Sequence, residues 1–162
     1  ENSGYTFVYH GSLEYNQKIE AGNFLVIYDI AGLLSGTGPV NWTFTRPLNA
    51  AGLATDAAIP DALFTYDGPT ITGVQGGTAL GTFYVNGRFT GQTEGSYLAR
   101  AVRVGSGNNA NTLLDQSDSI TIPAVPEPNT AALLITGAAL VIAHRLHKRR
   151  LSCIRHTESA VQ

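Results

Sequence analysis

The side chains with the most chemistry to offer are carboxylates, and two pairs lie close in sequence: Asp61 with Asp67, and Asp115 with Asp118. Paired carboxylates can share the work of a glycoside hydrolase, one protonating the leaving oxygen while the other activates water or attacks the sugar. Aspartates beside loops equally serve as turn-formers, bonding their own backbone. Asp115 and Asp118, with nearby carbonyl oxygens, also suit a calcium ion. Imidazole and thiolate chemistry has little to draw on, because residues 1–124 contain one histidine, His10, and no cysteine. His144, His147, His156 and the single cysteine, Cys153, all fall in the last nineteen residues. No nucleophile elbow, zincin helix, phosphate loop or dinucleotide fingerprint occurs, and the glycines of residues 105–109 lack the lysine a phosphate cradle needs. The expectation is a non-enzymatic chain without metal or cofactor. Tyr5, Tyr9, Tyr15, Trp42, Tyr66 and Tyr84 form either a sugar-stacking platform or the aromatic part of a core.

These residues must be positioned by strands. Short runs rich in aromatic and β-branched residues, bounded by Gly, Pro, Asn and Asp, recur through the first 124 positions, and none shows sustained helical spacing. Residues 5–9 (YTFVY) alternate and precede a predicted turn at His10, Gly11 and Ser12. Residues 23–30 (NFLVIYDI) read as a central strand buried on both faces. Residues 40–45 (VNWTFT) place Val40, Trp42 and Phe44 on one face. Residues 61–66, 81–86, 88–90, 96–104 and 119–122 complete the set. Asn86-Gly87 predicts a type I′ hairpin joining residues 81–85 to residues 88–92. Residues 96–104 mix Arg100 with Leu98 and Val102 on one face, so this strand is expected near an edge or with an arginine capping the core. Residues 47–60 are expected as a loop or a short helical turn. Strands without crossover helices argue for one mainly β domain, an antiparallel β-sandwich or jelly roll over residues 1–122. With no cysteine there, its stability must come from packing.

The chain changes character after Ile122. Residues 123–128 (PAVPEP) hold three prolines, which favour an extended backbone open to a peptidase cleft. Residues 129–146 follow as a predicted transmembrane helix carrying Leu133, Leu134, Ile135, Leu140, Val141 and Ile142, and residues 147–162 form a basic tail. The uninterrupted core, residues 130–143, is only about 14 residues long, a length that also suits a buried core helix. Counting 129–146 gives 18 residues, roughly 27 Å of helix against about 30 Å of hydrocarbon, a mismatch a bilayer accepts at modest cost. The cluster of Arg145, Lys148, Arg149 and Arg150 would hold its end in the cytoplasm and leave everything before Pro128 outside. Charge agrees with this division: residues 1–124 carry ten acidic and five basic side chains, a net of −5, whereas residues 144–162 net +4. The large part therefore lacks a basic patch for nucleic acid. Export requires a basic-then-apolar leader, and the opening ENSGYTFVY is not one, so the expectation is that the chain begins after a removed leader or is a fragment.

Val125, Pro126, Glu127 and Pro128, a short apolar helix and an arginine-rich cluster, in that order, resemble the PEP-CTERM sorting signal of exported bacterial surface proteins. The resemblance covers about one sixth of the chain. It implies a membrane peptidase of the exosortase kind, which recognises Pro126, Glu127 and Pro128 and removes the helix and tail. It also implies a destination in the cell envelope or extracellular matrix, and exopolysaccharide as a partner. The family usually ends at or just after the basic cluster, whereas this chain continues through Leu151 to Gln162. The rival expectation is a membrane-held carbohydrate-binding module or weak glycoside hydrolase.

Overall fold

The computed structural model describes residues 4–50, 52, 56–105 and 110–125. The chain divides into two units, Glu1–Pro126 and Glu127–Gln162, and only the first contains described residues. Ten strands and no helix occur among them: β1 (Tyr5–Leu13), β2 (Gln17–Ile19), β3 (Phe24–Ile27), β4 (Leu33–Thr37), β5 (Trp42–Thr45), β6 (Ala62–Tyr66), β7 (Ile71–Thr72), β8 (Thr78–Gly87), β9 (Gly91–Arg103) and β10 (Leu113–Ala124). Every pairing is antiparallel. The protein is mainly β, as its residue pattern predicts.

One sheet has the order β1-β8-β4. In the second, β9 is the spine. β10 pairs with it from Leu113↔Val102 to Ala124↔Gly91, so β2 and β3 share its other edge, one after the other. β6 and β5 extend the sheet from β3, and β7 pairs with β2.

The two sheets face each other in a sandwich-like arrangement. Phe83, Val85 and Leu33 of the smaller sheet pack with Ile27, Phe64 and Ala62 of the larger, and Ile122 of β10 joins them. The rings interlock edge to face, Phe83 lying 4.9 Å from Trp42 and 5.1 Å from Phe64. The far side of the larger sheet is also covered. Val26, Tyr28 and Leu98 are buried there with Ala50 of the segment after β5, against Phe24 and Leu63. Residues 23–30 are thus buried on both faces, as their unbroken apolar run predicts.

Asp61 fastens that covering segment. It is fully buried; one carboxylate oxygen accepts from the Ala50 amide at 2.8 Å and the other from the Asp29 amide at 3.0 Å. Asp29, held at a φ of 53°, in turn accepts from the Asp56 amide.

Several local expectations fail for tertiary reasons. The Asn86-Gly87 hairpin does not form: β8 lies in the smaller sheet and β9 in the larger, and neither residue has positive φ. Asn86 is instead held on both sides, accepting from Thr6 Oγ1 at 2.7 Å and donating to Ser35 Oγ at 3.0 Å. Residues 88–90, expected as a strand, carry the crossing between sheets. The turn predicted at His10 is absent because β1 runs on to Leu13 through a register shift at Gly11/Ser12. Opposite that shift Gly81 adopts φ 111°, which an L side chain resists. A Cβ at Gly11 would sit 2.8 Å from the Phe83 ring, so glycine is required for the core to close. Val40 is 85% exposed because Asn41 turns the chain with φ 67° before β5 begins. For β9 the edge alternative fails, since it is paired on both sides, and the capping alternative holds: Arg100 lies on its outer side, 4.9 Å over the Phe24 ring, which packs against buried Val26, Tyr28 and Leu98.

Candidate functional site

The expected sorting signal touches the described residues at one point. β10 closes with Pro123 fully buried, 3.5 Å from where a Cβ of Gly87 would stand, and Ala124 paired to Gly91. A proline suits this place because β10 is an outer strand among the described residues and one amide can go unused. Val125 follows, 53% exposed. Pro126, Glu127 and Pro128, the helix residues Leu133, Leu134, Ile135, Leu140, Val141 and Ile142, and the basic cluster Arg145, Lys148, Arg149 and Arg150 lie outside the described residues. Among the described residues no helix is long and apolar enough to cross a membrane.

The carboxylate pairs are not brought together. Asp61 and Asp67 flank opposite ends of β6, about 20 Å apart at roughly 3.3 Å per residue, too far for a shared acid–base role. Asp67 accepts from Thr43 Oγ1 at 3.1 Å. Asp115 and Asp118 are three apart on β10 and so point to opposite faces. Asp115 is bound bidentately by Arg100, with both contacts at 2.7 Å. Among the described residues no group of three or more His, Cys, Asp or Glu is placed to hold a metal ion.

The Arg100 bond holds the Asp115 carboxyl below its ordinary range, with burial opposing and charge attraction adding. A depressed carboxylate stabilises the fold above its unfolded pKa, and that share fades as pH falls through the folded value. Both partners are well exposed, so screening leaves little. Asp115→Asn is expected to cost under about 1 kcal/mol in urea denaturation.

The aromatic residues divide. Tyr66 is buried and Trp42, half-buried, packs against the core, with ring centroids 5.3 Å apart, and the Tyr66 hydroxyl donates to the Pro69 carbonyl at 2.5 Å. Tyr5, Tyr15 and Tyr84 are exposed. Only Tyr84 lies mid-strand on a sheet face, opposite Val8 on one side and Thr37 on the other. The Thr6–Asn86–Ser35 hydrogen-bonded row runs beside it.

Tyr9 lies at the junction of the sheets, donating its hydroxyl to the Thr121 carbonyl at 2.9 Å. Burial pushes its pKa up from 10.0 to about 12. A raised phenol favours the fold while neutral, so its contribution is complete below pH 10.0 and is lost as pH rises through about 12. Tyr9→Phe should remove one step near pH 12 from the ultraviolet titration of the folded chain, and a titration curve unchanged at that pH would contradict the assignment.

Between the sheets lies a cavity of about 270 Å³. Its walls are Leu25, Ile27, Trp42, Leu80, Phe83 and Tyr97, and its floor is Ala99 and Ala101 of β9. The signal for this floor in the sequence is the alternation of Leu98, Arg100 and Val102 with the small Ala99 and Ala101 on the other face.

No protein-family model, curated protein or solved structure matches this chain.

Proposed function

We propose that the chain is a non-enzymatic exported protein of the cell surface or extracellular matrix, a β-sandwich carried by a C-terminal sorting signal. The supporting observation is the order of features from Val125 to Arg150: a proline-bounded motif, an uncharged helix-forming run, then a basic cluster. The described strands add a physical argument. With Pro123 buried and Ala124 the last paired residue, the motif begins just beyond the sheet, in prolines that resist pairing. A processing peptidase of the exosortase kind at the membrane surface then recognises Pro126, Glu127 and Pro128. After cleavage the sheet domain leaves the bilayer while helix and tail stay behind.

The test compares wild type with a Pro126→Ala, Pro128→Ala double variant by intact mass and fractionation. The expected wild-type product has lost about 35 residues and appears outside the membrane fraction, while the double variant keeps its full mass and stays with the membrane. Identical mass and destination for both would overturn motif-dependent processing.

A second reading, a membrane-held carbohydrate-binding module, draws on Tyr84. An aromatic on a flat strand face beside hydroxyls and a carboxamide can stack on a sugar ring. A glycan array separates the readings: saturable binding abolished by Tyr84→Ala would favour the module.

A further inference from the structure

None of the residues lining the inter-sheet cavity belongs to the sorting signal, and the cavity is larger than the gaps between well-packed sheets. Protein cores hold few voids larger than a water molecule. A cavity of about 150 Å³ lined by apolar side chains takes up benzene, and this one measures about 270 Å³. The space exists because β9 turns Ala99 and Ala101 inward while Leu98 and Val102 turn outward. The aromatic walls cannot collapse into it: Phe83 is pinned between Trp42 and Phe64, and the Tyr9 hydroxyl is tied to Thr121.

We propose that this gap is a binding site for a neutral, largely apolar small molecule, of the size of a two-ring aromatic or a short terpene, with one neutral polar end. Size follows from volume. Apolarity follows from the walls, where Trp42, Phe83 and Tyr97 offer ring faces and edges. Neutrality follows from the charges around the opening. Glu14 repels anions, Arg100 is neutralised by Asp115 on the outer side of the sheet, and the His10 ring is hydrogen-bonded to Thr82 Oγ1 at 3.2 Å. A cation would have to shed its water among apolar walls. The polar end follows from exposed Gln116, whose carboxamide offers both donor and acceptor at the rim. β1, at the edge of the smaller sheet, and Gln116 and Ile120 of β10 both line the cavity, and no strand pairing joins β1 to β10 among the described residues. A ligand can therefore enter without separating paired strands.

Trp42 is the chain's only tryptophan, and it lines the cavity, so its emission reports occupancy directly. The experiment titrates the full chain in detergent with 2-naphthol, a neutral two-ring probe with one hydroxyl. Saturable quenching at one probe per chain is the expected result. Ala99→Leu and Ala101→Leu, each of which fills the space, should weaken binding by at least about tenfold. Val8→Ala, on the outward face of the smaller sheet, should leave it unchanged. Quenching that rises linearly without saturating in the wild type is micelle partition and overturns the proposal whatever the variants do. So does unchanged affinity in both leucine variants with near-ultraviolet circular dichroism intact. If the leucine variants unfold, the wild-type melting temperature decides: a rise that grows with the logarithm of 2-naphthol concentration supports the site, and no rise overturns it.

Discussion

Replacing Asp61 by alanine is expected to lower the unfolding free energy by roughly 3–5 kcal/mol, the largest effect of any polar substitution in the sheet domain. The carboxylate is fully buried and both its oxygens are engaged, by the Ala50 amide at 2.8 Å and the Asp29 amide at 3.0 Å. Alanine leaves two donors without acceptors in a site water does not reach, at about 1–3 kcal/mol each. The damage should spread, because Ala50 belongs to the cover over Val26, Tyr28 and Leu98. Urea denaturation followed by circular dichroism measures the loss, with a melting temperature lower by about 10–20 °C. Asp61→Asn keeps one carbonyl acceptor and should lose about half as much. Equal stability of Asp61→Ala and wild type would show that the segment after β5 is not held by this carboxylate.

Phe83→Ala should cost a similar amount, about 3–5 kcal/mol, through a different mechanism. Phe83 is 1% exposed and bridges the sheets, with Trp42 and Phe64 both within 5.1 Å, ring to ring. Its removal adds a ring-sized void to the existing cavity, so the walls have little left to relax onto. Trp42 loses its edge-on neighbour, and its emission should shift to the red as water enters. A cost below about 1 kcal/mol would mean that the two sheets are not joined through this ring.

How much of this could be read from residues alone depends on which interaction decides each feature. Trp42–Thr45, Ala62–Tyr66 and the run around Val26 and Ile27 are legible because local alternation or unbroken apolarity mirrors burial directly. Asn86-Gly87 misleads because a turn preference is worth little against two flanking strands, and Thr6 and Ser35 claim the asparagine from positions 80 and 51 residues away. The extension of β1 past His10 depends on glycine at two positions brought opposite by pairing, Gly11 and Gly81. Leu113 to Asp118 look like loop because one face of β10 meets solvent, and only twelve consecutive pairings with β9 make them strand. Asp61 reads as a turn residue or a catalytic candidate; its burial is set by residues that fold over it. The cavity is the least legible feature, since two alanines announce an absence of volume only once the opposing sheet is in place.

The proposed export puts the sheet domain and the basic cluster on opposite sides of a membrane, and the chain's two lysines test that directly. Lys18 lies in β2 and Lys148 in the basic cluster. The measurement uses a membrane-impermeant amine reagent on cells making the Pro126→Ala, Pro128→Ala variant, which retains its tail, followed by peptide mass analysis. The predicted result is modification of Lys18 in intact cells, with Lys148 reacting only after permeabilisation. Lys148 reacting in intact cells as readily as Lys18, or both remaining unmodified until the membrane is opened, would contradict it.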